Sequence, residues 1–255
     1  MSDFSTLTVS VDDTGLGRLT LDQPEALNPL GVDCLAEIAE AARWLDANGA
    51  IVVIVTGAGD RAFSAGFDLR QFNDPPPGKG GAELGGEMAT AVEAMNAVTI
   101  AAIHGHCIGG GLVLAAACDM RIAADNTNFA IPEVDLGIPL AWGGIPRLVR
   151  EIGPAMTREL VMTCRPFDAH EAKSLAFVNR VVPRAELDAA TEEFARSLLT
   201  KAPSVLRVTK RQGVTAAENV ASTADAWLGA PLLDNAQRDP VARERAAAYL
   251  ADRGR

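Results

Sequence analysis

The chain has 255 residues, of which 48% are hydrophobic and 22% charged, and 33 acidic against 23 basic side chains give a formal net charge of −10. This length and composition predict one large globular α/β domain, and the acidic balance argues against general nucleic-acid binding, because phosphate neutralisation needs a basic surface. The four cysteines show no C-x-x-C spacing, so neither a zinc site nor a disulfide framework is indicated.

The first part of the chain predicts a hairpin, a helix and a strand. Leu7 to Val11 and Arg18 to Leu21 flank a turn rich in Asp and Gly, which is typical of a β-hairpin. Apolar residues recur at helical spacing from Val32 to Ala47, so this run predicts a helix whose apolar face packs on a sheet. The apolar run from Ile51 to Val55 predicts a buried strand.

The order of strand, turn and helix then repeats. Thr99 to Ile103 predicts another buried strand, followed by the glycines Gly109 to Gly111 and a helix that begins near Leu112. Between the repeats, Asn73 to Gly81 contains three consecutive prolines and is incompatible with a helix. This segment predicts a mobile surface loop, which is either a tolerated insertion or a lid beside a binding site.

Helical patterns dominate beyond Arg150. They cover Ala155 to Cys164, Ala169 to Leu175, Arg184 to Thr200 and Val241 to Ala251. The coarse prediction is therefore an α/β core followed by a helical C-terminal region. No leader pattern is expected at the N-terminus, and the longest near-apolar run, Cys107 to Cys118, is too short and glycine-rich for a membrane span, so a cytoplasmic location is predicted.

Two glycine-containing turns and one glutamate indicate a catalytic site. Gly109 to Gly111 precede an apolar helix, and only residues without a Cβ let a ligand oxygen reach consecutive backbone N–H groups. A second such turn, Ala62 to Leu69, directly follows a predicted strand, so the two turns can supply two convergent donors for an oxyanion. Glu133 is a carboxylate that can move a proton. The alternatives are a packing role for the glycines and a surface role for Glu133.

His104 and His106 are the only closely spaced histidines. On a strand they would share a face, but no third ligand is evident. We therefore interpret them as packing or hydrogen-bonding residues rather than as metal ligands.

Several dispersed motifs, in matching order and spacing, make the chain resemble the crotonase superfamily, the enoyl-CoA hydratase/isomerase family, over essentially its whole length. The motifs are Gln23 to Asn28, Arg61 to Leu69, Gly105 to Gly111, Cys118-Asp119, Phe129 to Glu133, Leu136 to Pro139 and Trp142 to Gly144. The resemblance implies an α/β fold with a spiral core of ββα turns, in which two nearly perpendicular sheets are capped by helices. It implies a core with the acyl-CoA site over residues 1–195 and a helical region over 196–255 that builds trimers and completes the CoA site.

The same resemblance implies an acyl-CoA thioester substrate, no metal and no cofactor beyond the coenzyme A of the substrate. It implies a homotrimer or a dimer of trimers, without nucleic-acid or membrane partners. The thioester carbonyl of such substrates sits between two backbone amides, which here map to Phe67 and Gly110, with Glu133 as the catalytic carboxylate. The implied substrate-binding positions are Ala26, Arg61, Ala65, Gly66, Asp68, Leu69, Gly109, Val113 and Trp142.

Some of these positions carry a more specific expectation. Arg61 matches a basic position near the CoA phosphates, and the carbonyl region around Ala65 would meet the adenine ring. Asp68 is interpreted as a turn or capping residue rather than a catalyst. Glu25 stands where relatives often have a basic residue, which would shift the phosphate contact to Arg61 and to C-terminal basic residues such as Lys210. Trp142 is either a core residue or the wall at the acyl end.

The chain departs from the family pattern at one catalytic position. Hydratases of the family have a first glutamate three residues after the middle glycine and a second one twenty residues later, which correspond here to Val113 and Glu133. Two carboxylates share the work of orienting water and moving a proton, whereas one base is enough to shift a double bond. Val113 and Leu112 also favour a dry pocket, which strengthens Glu133 as a base.

The sequence therefore predicts an isomerase that converts 3-enoyl-CoA to 2-enoyl-CoA through Glu133 and the two backbone amides. The first alternative is an enoyl-CoA hydratase in which Glu133 works alone or with another carboxylate, Asp135 being a weak candidate. The second alternative is a catalytically quiet member that binds acyl-CoA.

Overall fold

The computed structural model describes residues 4–73 and 79–252 of the chain. Its strands are β1 (Leu7–Val11), β2 (Leu16–Leu21), β3 (Val52–Gly57), β4 (Ala62–Ser64), β5 (Val98–Ile103), β6 (His106–Ile108), β7 (Met120–Ala124), β8 (Asn128–Ala130), β9 (Phe167–Asp168) and β10 (Arg180–Val182). Its helices are α1 (Val32–Ala47), α2 (Arg70–Asn73), α3 (Gly81–Glu93), α4 (Gly110–Ala117), α5 (Gly144–Thr163), α6 (Ala169–Ser174), α7 (Leu187–Leu199), α8 (Pro203–Val220), α9 (Gly229–Arg238) and α10 (Pro240–Asp252).

The strands form two sheets. The larger has six strands in the order β1-β2-β3-β5-β7-β10, with β1 antiparallel to β2 and the other pairs parallel. The smaller has the order β4-β6-β8-β9, in which only the β8–β9 pair is antiparallel. Parallel neighbours need long crossover connections, and here helices supply them.

A ββα unit explains how the two sheets are connected. In β3–β4, β5–β6 and β7–β8, the chain runs along a strand of the large sheet and then forms a short strand of the small sheet. Helices α2 and α3 follow the first pair, α4 follows the second and α5 follows the third. The turns after β4 and β6 therefore emerge from neighbouring strands of the small sheet, which brings the two glycine turns together.

The core is divided between the two faces of the large sheet. On one face α1, α3 and α4 pack in a large apolar cluster that includes Leu35, Met88 and Leu114, all fully buried. On the other face α7 covers a smaller cluster, in which Leu187 and Ala195 contact strand residues such as Ile54 and Ile100. Every residue of α4 is buried, in agreement with its apolar sequence.

Several predicted elements are confirmed. The α/β class and the ββα architecture are as expected, and the predicted helix from Val32 to Ala47 has the observed bounds of α1. The hairpin is β1–β2, although β2 begins at Leu16, and α4 begins two residues earlier than predicted, at Gly110. The predicted helix from Ala155 is the second half of α5, because the backbone is kinked at Gly153, where φ is +76°.

Other expectations differ from the structure. His104 and His106 do not share a strand face, because the chain turns at Gly105, where φ is +57°, and passes from the large sheet to the small one. His104 is buried, whereas His106 is exposed. In the proline-rich loop, residues 74–78 lie outside the described residues, and α3 begins at Gly81.

Candidate active site

A mostly apolar cavity of about 380 Å³ lies where the two glycine turns meet α3 and α9. Five of the residues singled out from the sequence line it, namely Phe67, Gly110, Val113, Glu133 and Trp142. The segment Ile138 to Ala141 and the α9 residues Ala230 and Leu233 complete the apolar wall. The cavity thus combines a small number of polar groups with an apolar lining, the usual character of a small-molecule site.

The Phe67 N–H group is available to a ligand because of how its neighbours are paired. Leu30 forms a parallel bridge with Phe67, in which Leu30 N–H donates to the Gly66 carbonyl at 2.8 Å and Asp68 N–H donates to the Leu30 carbonyl at 3.3 Å. In such a bridge the middle residue directs its own N–H group away from the partner strand. Within the described part of the chain, Phe67 N–H has no hydrogen-bond acceptor.

The second donor is the N–H group of Gly110, the first residue of α4. The first N–H groups of a helix have no partner inside the helix and carry the positive end of its dipole. Gly109 precedes it with φ +50°, and a Cβ there would lie 2.6 Å from Glu133 Oε1, so the position requires glycine. A Cβ built on Gly66 would lie 3.4 Å from the Gly110 nitrogen, which shows that the two turns are side by side.

Glu133 provides the carboxylate of the cavity. The residue as a whole is half-buried, but its Oε2 atom is closed to solvent and has no hydrogen-bond partner among the described residues. Burial raises the pKa of this carboxyl from 4.5 to about 7, because the charged form loses hydration. A hydrogen bond from the residue's own backbone N–H lowers the pKa by a smaller amount. A base whose pKa is near neutral pH is well suited to proton transfer.

The other carboxylates near the cavity differ from Glu133 in exposure. Val113, where the family hydratases have their first glutamate, is buried and apolar. Glu83 and Asp234 also line the cavity, but both side chains belong to exposed residues, and Glu83 pairs with Lys79 at 3.7 Å. Asp135, the weak candidate from the sequence, is exposed and does not line the cavity.

Trp142 lines the cavity with a large aromatic side chain. Its ring meets Phe67 edge to face at 6.2 Å and lies against the α-carbons of Gly85 and Gly110, where a side chain would overlap the indole. Trp142 has φ +60°, a conformation that is strained for a bulky residue.

Buried Arg147 holds this strained turn. Its Nη1 atom donates to the carbonyl oxygens of Trp142 at 3.0 Å and of Gly143 at 3.3 Å. Its Nη2 atom pairs with Glu93 at 2.8 Å. A fully buried charge needs such partners, so the position of the indole is fixed from behind by an ion pair.

The remaining predicted substrate positions lie outside the cavity wall, along the turn from Ala65 to Leu69 and beside it. Ala65 N–H donates to the Leu27 carbonyl at 2.9 Å, which places this turn next to Ala26. Arg61 is exposed. The Asp68 carboxylate accepts from the Arg70 backbone N–H at 3.1 Å at the start of α2 and pairs with the Arg70 side chain, in agreement with the turn and capping interpretation.

The expectation that Lys210 contacts CoA phosphates was wrong for the chain as folded here. Its side chain is buried, its Nζ atom lies 2.8 Å from Asp119 Oδ2, and it donates to the Ala97 carbonyl at 2.8 Å. Ala97 lies just before the first residue of β5. Arg61 lies near the other end of this strand, because its backbone carbonyl accepts a hydrogen bond from the N–H group of His106, three residues after β5 ends. Lys210 therefore anchors α8 to the core.

Sequence reasoning missed the contribution of α9. Ala230, Leu233, Asp234 and Gln237 all line the cavity, and Gln71 of α2 joins them from the other side. The spacing of Ala230, Leu233 and Gln237 shows that one face of α9 covers the site. Helical periodicity could have revealed α9 itself, but nothing in its sequence indicates which surface it covers.

Two features are absent from the described residues. No helix in ranges 4–73 and 79–252 is long and apolar enough to cross a membrane. The same ranges contain no group of three or more His, Cys, Asp or Glu side chains arranged to hold a metal ion.

Comparison with known proteins identifies the family. Residues 12–250 match the enoyl-CoA hydratase/isomerase family. A crotonyl-CoA hydratase of Syntrophomonas wolfei is 37% identical over 198 residues, which cover 76% of each chain. A carnitinyl-CoA dehydratase of Escherichia coli is 36% identical over 225 residues, covering 86% of this chain and 84% of the relative. The chain belongs to the enoyl-CoA hydratase/isomerase family, the crotonase superfamily.

Solved structures agree with this assignment. An enoyl-CoA hydratase/isomerase from Pseudoalteromonas atlantica superposes with a TM-score of 0.86 at 25% identity, covering 97% of this chain and 98% of the other. A carnitinyl-CoA hydratase from Mycobacterium avium gives a TM-score of 0.85 at 26% identity, with 97% and 96% coverage. The fold is therefore that of crotonase enzymes.

Proposed function

We propose that the protein is an acyl-CoA isomerase that converts 3-enoyl-CoA to 2-enoyl-CoA with Glu133 as its single base. The observation that carries this proposal is the contrast between Glu133 and Val113. Glu133 brings a carboxylate with a raised pKa into an apolar cavity, and buried Val113 stands where hydratases have the first of their two carboxylates. Within the described residues, the other carboxylates on the wall are exposed.

The proposed mechanism needs one proton carrier and one anion site. Ionised Glu133 takes a proton from C2 of the 3-enoyl thioester, and the electron pair of the C–H bond moves into the thioester to form a dienolate. The N–H groups of Phe67 and Gly110 donate to the enolate oxygen, where negative charge develops. Protonated Glu133 then returns the proton to C4, the double bond shifts to C2–C3, and the carboxylate is regenerated.

The apolar lining supports this reaction in two ways. A carboxylate without hydrogen-bond partners is a stronger base toward carbon, because water no longer stabilises its charged form. Exclusion of water also protects the dienolate, and Val113, Leu140 and Trp142 leave little polar surface to hold a water molecule beside C3.

Hydration is the second candidate function, and the names of the relatives favour it. The Syntrophomonas wolfei protein, 37% identical, is called a crotonyl-CoA hydratase, and the Clostridium acetobutylicum protein, 34% identical, is called a short-chain-enoyl-CoA hydratase. In that case a second carboxylate must orient the water, and Asp234 on the cavity wall is a better placed candidate than Asp135. A catalytically quiet acyl-CoA-binding protein is the third candidate, and the buried carboxylate of Glu133 argues against it.

A steady-state assay with matched 3-enoyl and 2-enoyl thioesters distinguishes these functions. An isomerase converts the 3-enoyl substrate much faster than it hydrates the 2-enoyl substrate. Brisk hydration with no conversion of 3-enoyl thioesters would overturn the proposal and leave the hydratase. Binding of both esters without turnover would leave the third candidate. Asp234→Asn serves as the matched variant, because it should impair hydration and leave isomerisation unchanged.

We propose that the acyl-CoA is the only organic partner of the site, that the reaction needs no metal or further cofactor, and that the protein acts in the cytoplasm. We also propose that residues 196–255 form the helical region through which three chains, or two sets of three, associate. The exposed apolar side chains Val220, Trp227 and Leu232 in this region support such an interface.

A further inference from the structure

A second cavity lies on the other face of the large sheet, beneath α7. Its volume is about 380 Å³, and within the described residues it shares no lining residue with the active-site cavity. Its floor is formed by Thr56 of β3, Ala102 of β5 and His104, and its roof by Thr191 of α7. Arg184, just before α7, closes one side.

Three residues that line the cavity carry buried polar atoms that lack hydrogen-bond partners within the described part of the chain. Among the described residues five side-chain atoms are of this kind, and three of them are His104 Nε2, Arg184 Nε and Thr191 Oγ1. His104 and Thr191 are 2% and 1% exposed. Buried polar groups are rarely left unpaired, because each lost hydrogen bond costs free energy. Three such atoms around one cavity indicate that something polar occupies it.

The bonding capacity of each atom defines the occupant. Burial together with the nearby Arg184 charge lowers the pKa of the His104 imidazole, and an interaction with the backbone of Gly59 offsets part of this shift. The lowered pKa favours the uncharged imidazole, whose Nε2 atom can accept a hydrogen bond, whereas Arg184 Nε–H can only donate and the Thr191 hydroxyl can do both. A hydroxyl group satisfies a donor and an acceptor at once, so a molecule with several hydroxyls matches this set.

The charges around the cavity favour a neutral occupant. Arg184 pairs with Asp60 at 2.8 Å, and Arg18 pairs with Glu192. Asp188 adds a further negative charge to the lining. Glu192 is shared with Arg196, and the two guanidinium groups of the lining are already paired, so neither is left free to neutralise a carboxylate or phosphate.

We propose that this cavity binds a small neutral polyol. Its hydroxyl groups accept from Arg184 Nε–H, donate to His104 Nε2 and exchange a hydrogen bond with Thr191. Its C–H groups contact the apolar floor formed by Ile54 and Ala102. The site is separate from the acyl-CoA chemistry, and its existence does not depend on which reaction the protein catalyses.

The experiment measures binding of erythritol, used as the probe, by ligand-observed NMR and by the dependence of Tm on its concentration. Specific binding predicts a saturable response, since stabilisation follows the occupancy of a site. Arg184→Lys keeps the positive charge but removes the fixed Nε–H donor, and should weaken erythritol binding at least about tenfold, the change expected for a lost hydrogen bond of about 1.4 kcal/mol. Thr191→Val, which removes the hydroxyl and keeps the shape, provides a second, independent variant with the same expected loss.

The controls separate binding from general solvent effects. Arg165→Lys makes the same change at an arginine that pairs with Glu159 and Glu171 away from the cavity, and should bind erythritol like the unaltered protein. Glycine betaine, which has no hydroxyl group, should stabilise only in proportion to its concentration, as excluded osmolytes do. A linear erythritol response that is identical in all variants would overturn the proposal and leave a cavity filled by water. Tighter binding of acetate than of erythritol would also overturn it, because the ligand would then be an anion.

Discussion

Replacing Glu133 by Gln should make the protein both less active and more stable. The exchange keeps the shape of the side chain and removes its basicity, so isomerase turnover should fall about 10²- to 10⁴-fold. Stability should change in the opposite direction, because the folded chain holds this carboxylate in an apolar cavity with Oε2 unpartnered. The variant removes a charge that the fold accommodates only at a cost.

The size of the stability change follows from the pKa. The Glu133 pKa is about 7 in the folded chain against 4.5 for the free group. At about 1.4 kcal/mol per pKa unit, full ionisation destabilises the folded state by about 3 kcal/mol. Since the folded pKa is the higher one, the folded state binds the proton more tightly, and stability falls as pH rises from 4.5 through about 7.

The assay compares urea unfolding of Glu133→Gln and of the unaltered protein at about pH 5 and about pH 8, at one protein concentration so that association cancels. The unfolding free energy of the variant minus that of the unaltered protein should be about 2 to 3 kcal/mol larger at pH 8 than at pH 5. All other titrating groups are common to both proteins and drop out. A difference that does not change with pH would refute the reasoning, because Glu133 would then be ionised at no cost.

The remaining predictions concern the anion site, the reaction type, the acyl wall and assembly. Gly110→Pro removes one N–H donor and should lower turnover at least about 10²-fold; a folded variant with normal kinetics would contradict the oxyanion assignment. Val113→Glu should raise hydration of 2-enoyl thioesters and cost about 1 to 3 kcal/mol in urea unfolding; unchanged hydration would count against the role given to this position. Trp142→Leu should admit longer acyl groups, seen as a lower KM for them, whereas the same KM series as the unaltered protein would place the acyl group elsewhere. Light scattering should give a mass of at least about three chains, and a monomer at micromolar concentration would contradict the assembly.

Some elements were predictable because their sequence carries a clear period. In α1, apolar residues at Leu35, Ile38, Ala42 and Leu45 follow one helical face, and all four are buried against the sheet. The two glycine turns could likewise be singled out, because a glycine turn directly after a buried strand is typical of a backbone that a ligand approaches closely, whereas the choice of Phe67 and Gly110 within them came from the resemblance to the family.

Other features depend on contacts between distant parts of the chain. Strands β4, β6 and β8 have three residues each, which is too short for an alternating pattern to be recognised. The α9 wall, the ion pair behind Trp142 and the burial of Lys210 against Asp119 are all set by tertiary packing. A positive φ at a tryptophan cannot be expected from propensity at all, because sequence favours small residues in that conformation.

The neighbouring positions of β4 and β6 in the small sheet have a consequence for how this protein can diverge. The two proposed donors, the N–H groups of Phe67 and Gly110, are main-chain groups in the turns that follow adjacent strands, so the spacing between the strands governs their separation. A substitution by any residue other than proline keeps the N–H group at either position. The positions at which the family hydratases carry proton-moving side chains lie on other segments, Glu133 after β8 and Val113, which has replaced a carboxylate, within α4. Under the proposed mechanism, mutation can therefore exchange the acid–base groups one residue at a time while the backbone contacts to the thioester carbonyl are kept, so a lineage can pass from one reaction to another through intermediates that still bind the substrate.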